Sequence, residues 1–223
     1  MPRSTNAFFS SVRSIGSPPT RAILTRPAAA PARHDGPAMA DEDRTKWDAR
    51  YEASGSPGSA PAWLDAWDAV LPRSGRALDV ASGTGRLALW ARSRGLEVTA
   101  IDISKVALDR LREAAPDVVT VERDLELDPR LPRGPFALIT CFRYRQLSLW
   151  PSMSAVLAPG GVLVAEVLGV ANLERHAHPS RRWLADPGEL LEAARGLEIV
   201  HAESGWLDDQ YSERIIVRKT SLA

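Results

Sequence analysis

Asp79, Gly83, Gly85 and Asp102 are the residues of this chain whose types and spacing best define a chemistry. The two glycines follow a short apolar run, Arg76-Ala-Leu-Asp-Val80, and precede Arg86-Leu-Ala-Leu-Trp-Ala91. They therefore occupy a strand-to-helix turn, where free backbone amides face a ligand and the missing Cβ atoms allow close approach. Asp102 comes seventeen residues after Gly85, at the end of a second strand-like run, Leu96-Glu-Val-Thr-Ala-Ile101. A carboxylate at that place accepts hydrogen bonds from the paired hydroxyls of a ribose. With Ser82 and Ile103 as flanking positions, the arrangement reads as a site for a nucleoside-bearing cofactor.

Two cofactors fit this outline and differ in charge. Gly83-Thr-Gly85-Arg-Leu-Ala88 satisfies the GxGxxA form of the dinucleotide fingerprint, in which amides cradle a pyrophosphate. Asp79, four residues before Gly83, argues the other way, because it sets a negative charge against a dianion. S-adenosylmethionine carries an ammonium and a sulfonium and has no phosphate, so the same carboxylate attracts it. Asp79-Val-Ala81-Ser-Gly83-Thr-Gly85 resembles the DxGxGxG motif of the class I S-adenosylmethionine-dependent methyltransferases, with Ala81 in the first glycine position. A Cβ at positive φ costs roughly 1–2 kcal/mol, so alanine predicts a negative φ with close packing.

The resemblance runs from about Trp47 to Lys219 and implies further roles. Asp79 faces the ammonium, Gly83 and Gly85 the methionine tail, and Asp102 the ribose. Asp124 and Leu125 resemble the pair that meets the adenine, Asp124 being otherwise a solvated strand-end aspartate. Trp47, Arg50 and Tyr51 resemble the WxxRY lid of tellurite- and thiopurine-type relatives, or else form a plainly packed helix. Cys141 ends a strand that faces the cofactor, where it contacts the ligand or fills the core. Phe142-Arg143-Tyr144-Arg145 follows at the place of the methyl acceptor, and its arginines clamp an anionic acceptor or are solvated. This FRYL-like turn, with Pro187-Gly-Glu-Leu190, is similar to small bacterial-type members of the family. Tyr144, His176 and His178 are the candidates for a general base. A nicotinamide oxidoreductase and a non-catalytic cofactor-binding module stand as alternatives.

The elements that must position these residues follow from hydrophobic period and turn chemistry. Arg44 to Tyr51 predicts a short helix beginning near Asp41. Pro61 opens a second, with Trp63, Leu64, Trp67, Val70 and Leu71 on one apolar face and the tryptophans as core anchors. Ser104 caps a third, which Pro116 ends. Val118 to Leu125, Phe136 to Cys141 and Val162 to Val167 predict three more strands, with Ala158-Pro-Gly-Gly161 a turn before the last. Leu197 to His201 and Arg214 to Arg218, joined through Trp206 to Ser212, predict an antiparallel hairpin. The expected fold is α/β and Rossmann-like, with a seven-stranded, mostly parallel sheet, helices on both faces and a C-terminal antiparallel hairpin.

Composition narrows the classes. The 223 residues are 44% hydrophobic and 25% charged with formal net charge zero, suited to one soluble catalytic domain over residues 41–223. Residues 1–40 are rich in Ser, Pro, Ala and Arg. They read as a disordered leader, an organellar targeting segment, or an extension ahead of a start at Met39. Five arginines lie there against Asp35, so the body is net acidic and nucleic acid is not the expected partner. No apolar run reaches the length of a membrane span. Cys141 is the single cysteine, which excludes an intramolecular disulfide and a cysteine metal cluster. Glu174, His176 and His178 lack a further ligand nearby, so no metal is expected. The expected partner is a small-molecule methyl acceptor, in the cytoplasm, with monomer and homodimer both open.

Overall fold

Strand β1 (Arg76–Val80) is buried on both faces beyond its first residue, as a parallel central strand must be. Its neighbours are β2 (Glu97–Asp102) on one side and β4 (Phe136–Phe142) on the other. The protein's structure, a computed structural model, describes residues 37–207 and 209–220; the leader expectations for residues 1–36 fall outside them. The sheet is completed by β3 (Val119–Glu122), β5 (Leu157–Leu168), β6 (Glu198–Leu207) and β7 (Gln210–Arg218). Its order is β3-β2-β1-β4-β5-β7-β6. All pairings are parallel except β5 with β7 and β7 with β6. The strand order reverses between β1 and β4, which makes the carboxyl ends of those strands the expected crevice for ligands.

Alternate side chains divide between two cores. Leu78, Val80, Ile139, Cys141, Leu163 and Val217 face one way, toward α4 (Trp150–Val156) and α5 (Glu189–Ala193). Ala77, Val98, Leu138, Val164 and Ile216 face the other, toward α2 (Arg86–Ser93) and α3 (Lys105–Ala114). Each large aliphatic side chain removed from water in this way contributes about 1.5–3 kcal/mol, so the sheet is the rigid floor on which the turns stand. Ser104 caps α3 as the sequence predicts, its hydroxyl accepting from the Ala107 amide at 3.1 Å.

Several elements differ from expectation. Helix α1 (Pro37–Ala53) begins four residues ahead of Asp41 and is longer than the short helix expected there. Proline is well suited to a first helical turn, which explains the earlier start. The second expected helix is a short 3-10 segment, Ala62–Trp67. The chain beyond it is held instead by Arg94, which donates to the carbonyls of Leu71 at 3.0 Å and Pro72 at 3.3 Å. Strand β3 stops at Glu122, short of Asp124, because the Asp124 carboxylate accepts from the amides of Glu126 (2.8 Å) and Leu127 (3.2 Å) and turns the chain. Strand β5 starts at Leu157 and includes the Pro-Gly-Gly turn, where Gly160 has φ +75° and its amide donates to the Lys219 carbonyl at 2.7 Å. The hairpin is longer than expected: Trp206 and Tyr211, assigned to its connection, pair in the ladder.

Candidate active site

Three residues of the turn between β1 and α2 are left-handed: Ala81 (φ 54°), Gly83 (φ 53°) and Gly85 (φ 90°). Ala81 corrects the expectation of a negative φ. The turn is fixed on both sides, with the Ser82 amide donating to the Ile101 carbonyl and the Gly85 amide to the Ser82 carbonyl, each at 3.0 Å. That outweighs a local cost of about 1–2 kcal/mol for the methyl group. Close approach explains the two glycines. A Cβ on Gly83 would lie 2.7 Å from the Tyr51 hydroxyl, and one on Gly85 would lie 2.4 Å from a Leu111 methyl.

Two buried carboxyls face this turn. Asp102 accepts from the Gly83 amide at 2.7 Å through Oδ2 and from the Ser104 amide at 2.9 Å through Oδ1. Burial pushes its pKa up, opposed by the amides of Ser104, Gly83 and Ile103. Asp79 stands opposite Thr140 in the β1–β4 register and accepts its hydroxyl at 2.7 Å through Oδ1. Its Oδ2 is buried with no hydrogen-bond partner. Burial raises the Asp79 pKa to about 7, while the Thr140 hydroxyl and the Ala88 amide of α2 pull the other way.

Helix α1 lies over the turn. Tyr51 packs on Gly83 and stacks on Trp47, and the Arg50 guanidinium sits 5.1 Å from the Trp47 ring centre. Asp48 accepts the Ser104 hydroxyl, and Arg110 of α3 donates to the carbonyls of Ser54 at 2.7 Å and Glu52 at 3.1 Å. The helix is therefore clasped to the start of α3. Burial, followed by the Asp102 charge, pushes the Tyr51 phenol up.

The segment after β4 divides in a way the sequence did not indicate. Phe142 is buried on the α2 face and stacks on Trp63 at 6.1 Å. Arg143 is left-handed (φ 60°) and donates to Gln210 at 2.8 Å, with Glu166 3.3 Å away. Arg145 corrects both readings of that residue: it is neither a free clamp nor solvated. It makes a two-pronged pair with Glu189, both contacts 2.6 Å, and donates to the Arg182 carbonyl. Tyr144 donates to Gln146, whose amide group donates to the Leu125 carbonyl at 2.8 Å. Burial and the charges of Glu126, Asp124 and Asp102 push the Tyr144 phenol up, so this side chain attends the Asp124 end of the site and is a poor base near neutrality.

Cys141 is core: it is 5% exposed, and burial followed by the Asp79 charge raises its pKa to about 12. Leu125 is also buried in that core. His176 contacts the Asp209 carbonyl at 2.7 Å and, with His178, Leu168 and Gln210, lines a cavity of about 370 Å³ at the carboxyl end of β5. Among the described residues no group of three or more His, Cys, Asp or Glu side chains converges as a metal site. The sequence reading missed Thr140, Glu166, Trp63 and Arg86. Glu166 carried a signal, a carboxylate inside the apolar strand Val162-Leu-Val-Ala-Glu-Val167.

Residues 77–161 match the family model of a methyltransferase domain. An uncharacterized methyltransferase of Mycobacterium tuberculosis is 33% identical over 113 residues, 49% of this chain and 45% of that protein. The chain spans about half the length of the curated relatives it matches. Among solved structures, TehB from Haemophilus influenzae superposes with a TM-score of 0.62 at 17% identity, over 78% of this chain and 67% of that one. The N-methyltransferase NodS from Bradyrhizobium japonicum, in complex with S-adenosyl-L-homocysteine, gives 0.60 at 18% identity over 79% and 97%. At these identities the structural likeness is one of fold. The sheet order, the glycine turn and the family model agree: residues 77–161 match a methyltransferase domain, and the fold is the one shared by S-adenosylmethionine-dependent methyltransferases of known structure. No helix among the described residues is long and apolar enough to cross a membrane.

Proposed function

We propose that the chain transfers a methyl group from S-adenosyl-L-methionine to a small-molecule acceptor. The observation that carries this reading is the unpartnered, buried Oδ2 of Asp79 at the head of the glycine turn. A pyrophosphate there would meet like charge, whereas an ammonium supplies the missing donors. Asp102, fixed by the amides of Gly83 and Ser104 at the end of β2, offers its carboxylate to the ribose hydroxyls. Gly83 and Gly85 bring the backbone close to the methionine tail, Trp47 and Tyr51 cover it, and Arg50 beside them faces its carboxylate. Asp124 and Leu125 mark the adenine end, with Tyr144 and Gln146 closing over them.

Bound, the cofactor would supply an electrophilic sulfonium methyl: an acceptor lone pair would bond to that carbon in line as the carbon–sulfur pair leaves with the sulfur of S-adenosylhomocysteine. The chain's own contribution is orientation and exclusion of water, worth on the order of 7–11 kcal/mol when two reactants are held in attack geometry. His176 and His178, which line the cavity at the end of β5, are the histidines we assign to the acceptor side. The setting we assign is cytoplasmic, with which the lone cysteine is compatible.

Calorimetric titration of the full chain with S-adenosylhomocysteine and, separately, with NADH tests the reading. Binding of the first alone is expected; binding of NADH alone would overturn it in favour of an oxidoreductase. Release of S-adenosylhomocysteine from the methyl donor in the presence of an acceptor panel separates an enzyme from a binding module.

A further inference from the structure

Beyond β4 and β5, on the α2 face of the sheet, guanidinium groups gather around one carboxylate. Glu166 is 3% exposed and accepts the Trp63 indole at 2.8 Å and Arg214 at 2.9 Å through Oε2, with Arg143 3.3 Å from Oε1. Arg143 is held there by its backbone: its amide donates to the Glu166 carbonyl at 2.7 Å, and its left-handed φ turns the side chain back toward that strand. Such strain persists in a non-glycine residue where the surroundings fix it, and it collects at functional sites.

Arg86 joins this group from the other side of the switch point. It is the first residue of α2, directly after Gly85, and is half-buried. Its guanidinium makes no hydrogen bond or ion pair among the described residues, yet Glu166, Arg143 and Asp79 all act on it electrostatically. The charges do not balance. Arg86, Arg143 and Arg214 face one buried carboxylate, Glu166; Glu203 approaches only Arg214, at 3.7 Å, and Asp79 is held toward its neutral form. Glu166 already has both oxygens engaged. A half-buried arginine beside a second arginine calls for an anion, and two guanidinium forks suit a carboxylate.

The place of this surplus matters. On one side lies Asp79, at the ammonium end of the proposed cofactor site. On the other, Gln210, which holds Arg143, also lines the cavity of about 370 Å³ beyond β5. We infer that the methyl acceptor carries a carboxylate, and that Arg86 and Arg143 hold it over the ends of β1 and β4. This rests on the methyl-transfer reading above and names the substrate class of that same site. The cofactor's own carboxylate is the other source of such an anion; Arg50, over the glycine turn, is the cation available to it.

The test uses the full chain saturated with S-adenosylhomocysteine and matched acid and amide pairs: benzoate and benzamide, phenylacetate and phenylacetamide, indole-3-acetate and indole-3-acetamide. Binding is followed by ligand-observed NMR. At least one acid is expected to bind about tenfold or more tightly than its amide. R86Q and R143Q should abolish that preference, R86K and R143K should restore part of it, and S-adenosylhomocysteine affinity should stay within about twofold throughout. The inference is overturned if no acid is preferred, or if the preference survives in R86Q and R143Q. It is also overturned if R86Q weakens S-adenosylhomocysteine and spares the acids, which would assign the anion to the cofactor. A wild-type chain that fails to bind S-adenosylhomocysteine defeats the methyl-transfer reading instead.

Discussion

The two halves of the site carry opposite surpluses of charge. Over β1 and β2, Asp79 and Asp102 are buried with no arginine or lysine paired to either among the described residues, and what holds them is a hydroxyl and backbone amides. Over β4, β5 and β7, with the start of α2, Arg86, Arg143 and Arg214 gather at Glu166, and Glu203 reaches only Arg214. A region short of cations suits a cationic ligand, and a region short of anions suits an anionic one. The proposed sulfonium donor and acidic acceptor would each match the charge of one half.

Substitution at Glu166 should break the comparison most severely. E166Q leaves Arg214, whose side chain is 10% exposed, without its buried partner. Loss of one member of such a pair costs about 3 kcal/mol or more, to be read as a lower urea midpoint. D102A comes next. It strands the Gly83 and Ser104 amides and removes the ribose acceptor, so S-adenosylhomocysteine affinity should fall on the order of 10–100-fold, about 1–3 kcal/mol. Unchanged affinity in calorimetry would remove the ribose assignment.

The donor half should also show its charge as pH dependence. Asp79 is raised to about 7 in the free protein, against about 4 in an unfolded chain. Between those values the folded state keeps a proton that the unfolded state releases. The Asp79 contribution to stability is therefore present at low pH and lost as pH rises through that window. Ligand binding has the opposite sense: pairing with an ammonium requires the ionised carboxylate. S-adenosylhomocysteine affinity should thus fall as pH drops below about 7, approaching tenfold per unit. D79N should flatten both profiles, and denaturation midpoints and calorimetry at pH 5, 6 and 8 check them. The smallest effect is expected from A81G. Relief of the left-handed alanine should raise stability by about 1 kcal/mol, less the added freedom of the unfolded chain, with cofactor affinity kept.

How much of this was legible follows from how local each half is. Asp79, Gly83, Gly85 and Asp102 lie within 24 residues of each other, and strand, turn and helix signals fix their relation directly. The fold was legible for the same reason, since each strand carries its own apolar run. The acceptor half draws on Trp63, Arg86, Arg143, Glu166, Gln210 and Arg214, which meet only when β4, β5 and β7 are in register. Nothing near Arg145 in the sequence marks Glu189 as its partner, or Arg86 as lacking one among the described residues. Ala81 misled for another reason: backbone strain is a property of the surroundings that hold it, and a residue type reports only its cost.

Tyr51 and Gly83 stand 32 positions apart in the chain, yet in space the ring leaves no room for any side chain at position 83. The two positions are therefore a coupled choice. A chain that replaced the glycine would have to shrink the aromatic as well, and would still carry the cost of a side chain at a left-handed φ of 53°. Paired exchanges at 51 and 83 are the historical trace this packing should leave among related sequences.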